Sequence, residues 1–289
     1  MPAATTHVEF AKDVYRTSDD EIRRRITNRQ MFWLGSQGPD MLFFHRASVL
    51  PGSLHKYGNL MHNAKVPEFM TFFEHWVGDD PDLISYYMGF LCHYALDSTA
   101  HPLINAVAHH IYKEAGLHEG SAHVAMEGDI DVWVLHQRGR NIKSYDVNKY
   151  LKVDAKCAAK LGEMYHAMFK EVFDLDISAK DVAASVRDTG FYNGVLYPRK
   201  VTFKTISLLE KALKMPPAIS GIMLVDKGDP QVINLDHAAY PLNYDETKTI
   251  SDSFPELYGK AVLKAQKLLK NRSDEDFSLN FNGIPKQSA

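Results

Sequence analysis

Apolar residues recur along this chain at intervals of three and four, with almost no strict alternation, so the pattern predicts helix after helix. His7 to Arg16 reads as a first helix, with Thr6 as N-cap and Glu9 three residues on, the spacing of a capping box. Ser18 then precedes DDEIRRRITNRQMFW, read as one helix with acids early and bases late, which suits the helix dipole. Gly35, Gly38 and Pro39 force a turn and put Asp40 at a loop-to-helix junction. Leu60, Met61, Phe69, Phe72, Phe73 and Trp76 support a helix beginning near His62, and Pro81 suits the first turn of another. Pro102 disfavours α conformation at His101, so that helix is expected to end or kink there.

The second half continues in the same way. Asp146 to Phe173 reads as one long helix with Leu161, Met164, Met168, Phe169 and Phe173 in its core stripe. Ser178–Thr189, Pro198–Leu213 and Ser253–Leu269 follow as helices. The stretch from Gly221 to Tyr244 is irregular and leaves room for a short strand at IMLV or QVINL. No repeat of fixed period and no low-complexity linker interrupts the chain. The expected fold class is all-α, one large domain over residues 1–289 with roughly nine to eleven helices.

Composition narrows the function. With 45% hydrophobic residues in 289, the chain can bury a sizeable core, and a formal charge of −3 gives no basic field for nucleic acid. Cys92 and Cys157 stand far apart without C-x-x-C spacing, so neither a disulfide framework nor a cysteine zinc site is expected. The longest apolar run, around Ile84 to Leu96, is interrupted by His93 and too short to span a bilayer. The N-terminal residues lack the basic start and apolar run of a secretory signal, so a cytoplasmic location is expected, or a secreted one if a leader has been trimmed. No specific nucleic-acid or protein partner is indicated.

Histidine changes the picture most. There are fourteen, and several fall at helical spacing with carboxylates between Met88 and Asp131. His93 and Asp97 are four apart, and His123, Glu127 and Asp131 repeat that interval, so each set lines one face of a helix. Imidazole with carboxylate is the donor set that zinc accepts, and two such faces can grip cations between them. Several patterns drop out. HEGSAH is one residue too long for a zincin, leaving His118 and His123 about 140° apart. Only one Glu-x-x-His, Glu163 to His166, is present where di-iron bundles need two. Walker A, dinucleotide and G-x-S-x-G patterns are absent, as is an adjacent His-Asp pair.

The ordered set Thr6-His7, LGSQGPDMLFF, GNLMHN, GFLCHYALDSTAHP, HVAMEGDID and SFPELYGKA resembles the bacterial zinc-dependent phospholipase C family, related in fold to single-strand-specific zinc nucleases. The resemblance covers most of the chain, most specifically in the paired HYALDSTAHP and HVAME segments and loosely at the C-terminal match. It implies an all-helical domain holding two or three Zn2+ ions in a cleft that cleaves a phospholipid, or another phosphodiester, with a water activated by the cations. Carried over, His101, His123 and Glu127 hold one ion and Asp40, His62, His93 and Asp97 a second, with Asp97 bridging to a third that His7 also binds. His62 is chosen over His55 because GNLMHN carries the pattern. Asp40 is the implied catalytic residue, orienting or deprotonating the attacking water. In secreted members an N-terminal tryptophan completes the third site. This sequence begins Met1-Pro2, so that site is expected to draw on Met1, Pro2 or water, or to be weak or empty. A nuclease, a small-molecule phosphodiesterase and a metal-stabilised binding domain are the competing functions.

Overall fold

The computed structural model describes residues 4–47, 51–115, 119–142, 144–196 and 230–285, with residues 205, 208 and 212 between the last two blocks. Among the described residues the fold is all-α apart from one hairpin. The central element is α6 (Pro81–Ala115), 35 residues long and about 50 Å from end to end at the helical rise. From Tyr86 to Leu96 its residues are buried on every side, which is why it carries no solvent-facing polar stripe there. Around it pack α1 (Ala4–Thr17), α3 (Arg29–Gly35), α7 (Glu119–Gln137) and α11 (Phe254–Lys270). A second layer holds α4 (His55–Asn63), α5 (Val66–Val77), α9 (Ala155–Phe173) and α10 (Ala179–Leu196). Among the described residues no helix is long and apolar enough to cross a membrane. Both cysteines are buried free thiols.

Several local expectations are overturned, each by a competing interaction. Helix α1 begins by Ala4, upstream of the expected cap at Thr6. The amides of Thr5 and Thr6 are satisfied instead by Asp131 of α7, at 3.2 and 2.7 Å, and the Thr6 hydroxyl donates to the same carboxylate at 2.6 Å. The DDEIRRRITNRQMFW stretch is two helices, α2 (Asp20–Arg25) and α3, because Ile26 turns inward and Asn28 caps α3 by accepting from Met31 N. His62 lies in the last turn of α4 and does not start a helix. The expected Asp146–Phe173 helix is a short α8 (Asn148–Leu151) and then α9, where Asp154 accepts from Cys157 N.

Pro102 neither ends α6 nor displaces His101 from its face. Proline forfeits one backbone hydrogen bond, and a helix buried on both sides of this step, at Ala100, His101, Leu103 and Ile104, is held by packing strong enough to outweigh that loss. The step is covered by the C-terminal segment: a Cβ on Gly283 would lie 2.4 Å from Pro102 Cγ and 2.9 Å from the Ser98 carbonyl oxygen, so only glycine fits. Its φ of +71° demands the same residue.

QVINL contains a 3-10 turn at Gln231–Ile233, and the strands lie further on. β1 (Tyr240–Leu242) pairs antiparallel with β2 (Asp245–Ile250). The expected helix over 198–213 and the IMLV strand fall outside the described residues. Ser253 and Glu256 form the capping box of α11.

Candidate metal centre

Five elements converge on one buried cluster. α6 supplies His93, Asp97 and His101 from three successive turns, because a spacing of four repeats the same face. α7 brings His123 and Glu127, α1 brings His7, α4 brings His62, and the 3-10 segment Gly38–Ala47 brings Asp40. All eight residues taken from the sequence meet here. Three groups have donor atoms within 4.8 Å of one another: His7, Asp40 and His93; His62, His93 and Asp97; and His101, His123 and Glu127.

Asp97 joins the groups. Its Oδ1 lies 3.2 Å from His7 Nε2 and 3.7 Å from His101 Nε2, and its Oδ2 lies 2.9 Å from His93 Nε2 and 3.8 Å from His62 Nε2. On either side, Glu127 Oε1 is 3.4 Å from His101 Nε2 and 3.2 Å from His123 Nε2, and Asp40 Oδ1 is 3.2 Å from His62 Nε2. The Gly38 turn allows this closeness: its φ is +52°, and a Cβ there would sit 2.2 Å from the His93 ring.

Four of the five rings are aimed from behind, whereas His7 Nδ1 is buried without a hydrogen bond. The Nδ1 atoms of His62, His93 and His101 donate to the carbonyls of Gly58, Ser36 and Phe281 at 2.8, 3.1 and 2.9 Å, and His123 Nδ1 donates to Asn105 Oδ1 at 2.8 Å. A donor at Nδ1 leaves the Nε2 lone pair facing the cluster, the tautomer that a cation requires. His93 Nε2 is buried without a hydrogen bond although Asp97 is near, and the ring stacks on His7 at 4.3 Å. Buried polar atoms ordinarily find partners, so an orphaned ring nitrogen among carboxylates fits a cation between them. The donor set of imidazoles and carboxylates fits zinc.

Electrostatics in the metal-free cluster follow from packing carboxylates against imidazoles. Burial would raise the Asp97 carboxyl, but His101, His93 and His7 hold it well below its usual range. Glu127 is held down likewise, against its own burial, by the positive charges around it, those of His123 and His101 among them. Burial would lower His101, yet Asp97 and Glu127 push it up to about 9. Protons therefore stand in for cations. Because the folded His101 value lies above the unfolded value near 6.5, its contribution is complete below about pH 6.5 and lost as pH rises through about 9. Asp97 and Glu127 contribute above their unfolded values and lose that contribution on acidification. Chelated protein is thus expected to melt highest near pH 5–6, falling on both sides, whereas zinc-loaded protein should keep its stability toward pH 9. Melting curves across pH with and without chelator check this, and identical profiles would refute it.

Asp131 shares the helical face with His123 and Glu127 but joins no candidate ligand group, being occupied with capping α1. Burial pushes its carboxyl up to about 7 in spite of three donors, so the neutral amide of Asp131→Asn should cost less than truncation. Asp131→Ala leaves buried amides unpaired and is expected to lower stability by about 2–3 kcal/mol. Denaturant titration of the two variants measures the difference.

The cluster opens into a cleft of about 280 Å³, walled beyond the ligands by Phe43, His55, Asn59, Asn63, Val124 and Asn282. His55 lines this wall, 4.8 Å from the Phe43 ring, and stands outside the convergent groups that contain His62. Phe281, Asn282 and Asn105 were not anticipated from sequence. Asn282-Gly283 carries a turn signal, but nothing in it says where the turn docks.

A family model described as zinc-dependent phospholipase C matches residues 6–175. The chain belongs to that family. The match takes in all eight convergent residues, and membership puts the protein among zinc-dependent hydrolases of phospholipase C type, in agreement with the helical fold. No curated protein and no solved structure matches the chain.

Proposed function

We propose that the protein hydrolyses a phospholipid at the phosphodiester bond, releasing diacylglycerol and a phosphorylated head group. The observation that carries this reading is the junction at Asp97, where two oxygens of one carboxylate face separate groups of imidazoles beneath an open cleft. In this reading His101, His123 and Glu127 hold one ion, Asp40, His62, His93 and Asp97 a second, and Asp97 with His7 a third. When bound, zinc neutralises non-bridging phosphate oxygens, acidifies a water and steadies the leaving oxygen of an in-line displacement.

The chain's own groups supply the rest. Asp40 lies beside the cleft, kept ionised because His62 and His93 overcome the effect of its burial. An ionised carboxylate there accepts a hydrogen bond from a water and orients it for attack. Phe43 and Val124 offer apolar wall to the acyl side of a lipid, and the low dielectric they create strengthens each charge interaction. A site that only braced the fold would have no need of this mouth.

Zinc-loaded protein should contain about two or more ions per chain and release diacylglycerol from phospholipid dispersed in detergent. Single-stranded nucleic acid and a generic aryl phosphodiester serve as parallel substrates. Cleavage of nucleic acid in place of lipid would support a nuclease on the same scaffold. Zinc binding without turnover on any of the three would support a metal-braced binding domain.

A further inference from the structure

Four histidines of the cluster have their Nδ1–H groups accepted, three of them by backbone carbonyls. A carbonyl can only accept, so it fixes the tautomer outright. His123 differs: its partner is the amide side chain of Asn105, which offers an acceptor or a donor depending on which way it is turned. It is also more exposed than the other histidines of its group and of Asp97, at 22% of its side chain against 7% for His101. Something must orient Asn105.

A chain of amides does so. Asn63 Nδ2 donates to the backbone carbonyl of Asn59 at 2.8 Å, which leaves Asn63 Oδ1 to accept from Asn282 Nδ2 at 2.9 Å. Asn282 Oδ1 then faces Asn105 Nδ2 at 3.5 Å, a long link, and Asn105 Oδ1 faces His123 Nδ1 at 2.8 Å. Each amide is turned by the one before it, so the acceptor character of a carbonyl on α4 reaches a ring on α7 through three side chains. Asn282 sits on the C-terminal segment, outside the residues matched by the family model.

We propose that Asn105 is the positioning residue of His123, and that Asn282 turns Asn105 so that its oxygen faces the ring. His123 is thereby kept with its proton on Nδ1 and its Nε2 lone pair directed at the space shared with His101 and Glu127. The inference rests on reading those three residues as ligands of one ion.

Zinc affinity, measured by competition with a chromophoric chelator, tests it without any substrate. Asn105→Leu is expected to weaken the affected ion by roughly 10–100-fold, the usual scale for a partner behind a ligand. Asn105→Asp should bind near the wild-type level, because a carboxylate accepts from Nδ1–H whichever way it is turned. Asn282→Ala should weaken binding in the wild-type background and cost nothing further in the Asn105→Asp background. That non-additivity is the signature of an orienting chain and is not expected of general loosening. Nitrogen chemical shifts of His123 in zinc-loaded protein supply a second readout, with Nδ1 protonated and Nε2 ligated in the wild type and that pattern weakened in Asn282→Ala. His123→Ala is the control. If it loses zinc while Asn105→Leu binds like wild type, the positioning role is overturned and the ligand reading stands. If His123→Ala binds like wild type, the ligand reading falls and the inference with it. Equal losses for Asn282→Ala in both backgrounds would overturn the role of Asn282. Melting of each chelated variant shows whether it folds, and the Asn105→Asp pair keeps the test decisive should Asn105→Leu not fold.

Discussion

Asp97→Ala is expected to lose about one zinc ion or more per chain and to cut turnover by roughly 10³-fold or more, since several kcal/mol of charge stabilisation vanish at about 1.4 kcal/mol per tenfold. The reason lies in how its two oxygens are shared. Oδ1 serves the His7 and His101 side and Oδ2 the His93 and His62 side, so no single substitution elsewhere touches as many groups. Asp97→Asn should be intermediate, because an amide keeps one acceptor and presents a donor where the other cation would sit. His7→Ala is expected to be milder than either, as among the described residues His7 Nε2 meets Asp97 Oδ1 alone within salt-bridge distance. Metal stoichiometry by elemental analysis separates the three variants. A larger loss for His7→Ala than for Asp97→Asn would show that the bridging role is wrong.

The second large effect is chemical. Asp40→Asn should retain much of its metal, since an amide oxygen still coordinates, while turnover falls by roughly 10²-fold, the scale of a lost general base. The assay needs excess zinc, so that depletion is not read as a defect in proton transfer. A zinc-replete Asp40→Asn protein working near the wild-type rate would remove Asp40 from the proton path. It would leave that carboxylate as a ligand and a hydrogen-bond partner of His62.

The faces that carry the candidate ligands were legible because helical periodicity is local. His93 with Asp97, and His123 with Glu127, declare a shared face within one turn of chain, and the Gly-Pro-Asp turn marks Asp40 in the same way. Errors arose where a distant residue took over a local task. Thr6 has a cap's neighbours in sequence, but Asp131, 125 positions away, does the capping. Pro102 has the local preference of a helix end, and the surrounding core outweighs it. The groups behind the rings were hidden for another reason. Three of them are backbone carbonyls, which every residue possesses and no sequence advertises.

One of those carbonyls constrains how the protein is made. Phe281 accepts from His101 Nδ1, 180 positions earlier in the chain, and gives its own N–H to the carbonyl of His62. Chains leave the ribosome N-terminal end first, so every candidate ligand is translated long before the residue that orients His101 exists. A nascent chain stalled after α7 would own the full set of donors in loose array, open to the wrong cation or to several chains sharing one. Correct loading therefore belongs to the finished polypeptide. A bulky fusion placed close behind residue 285 would disturb this centre more than one placed in the exposed turn at Gly139.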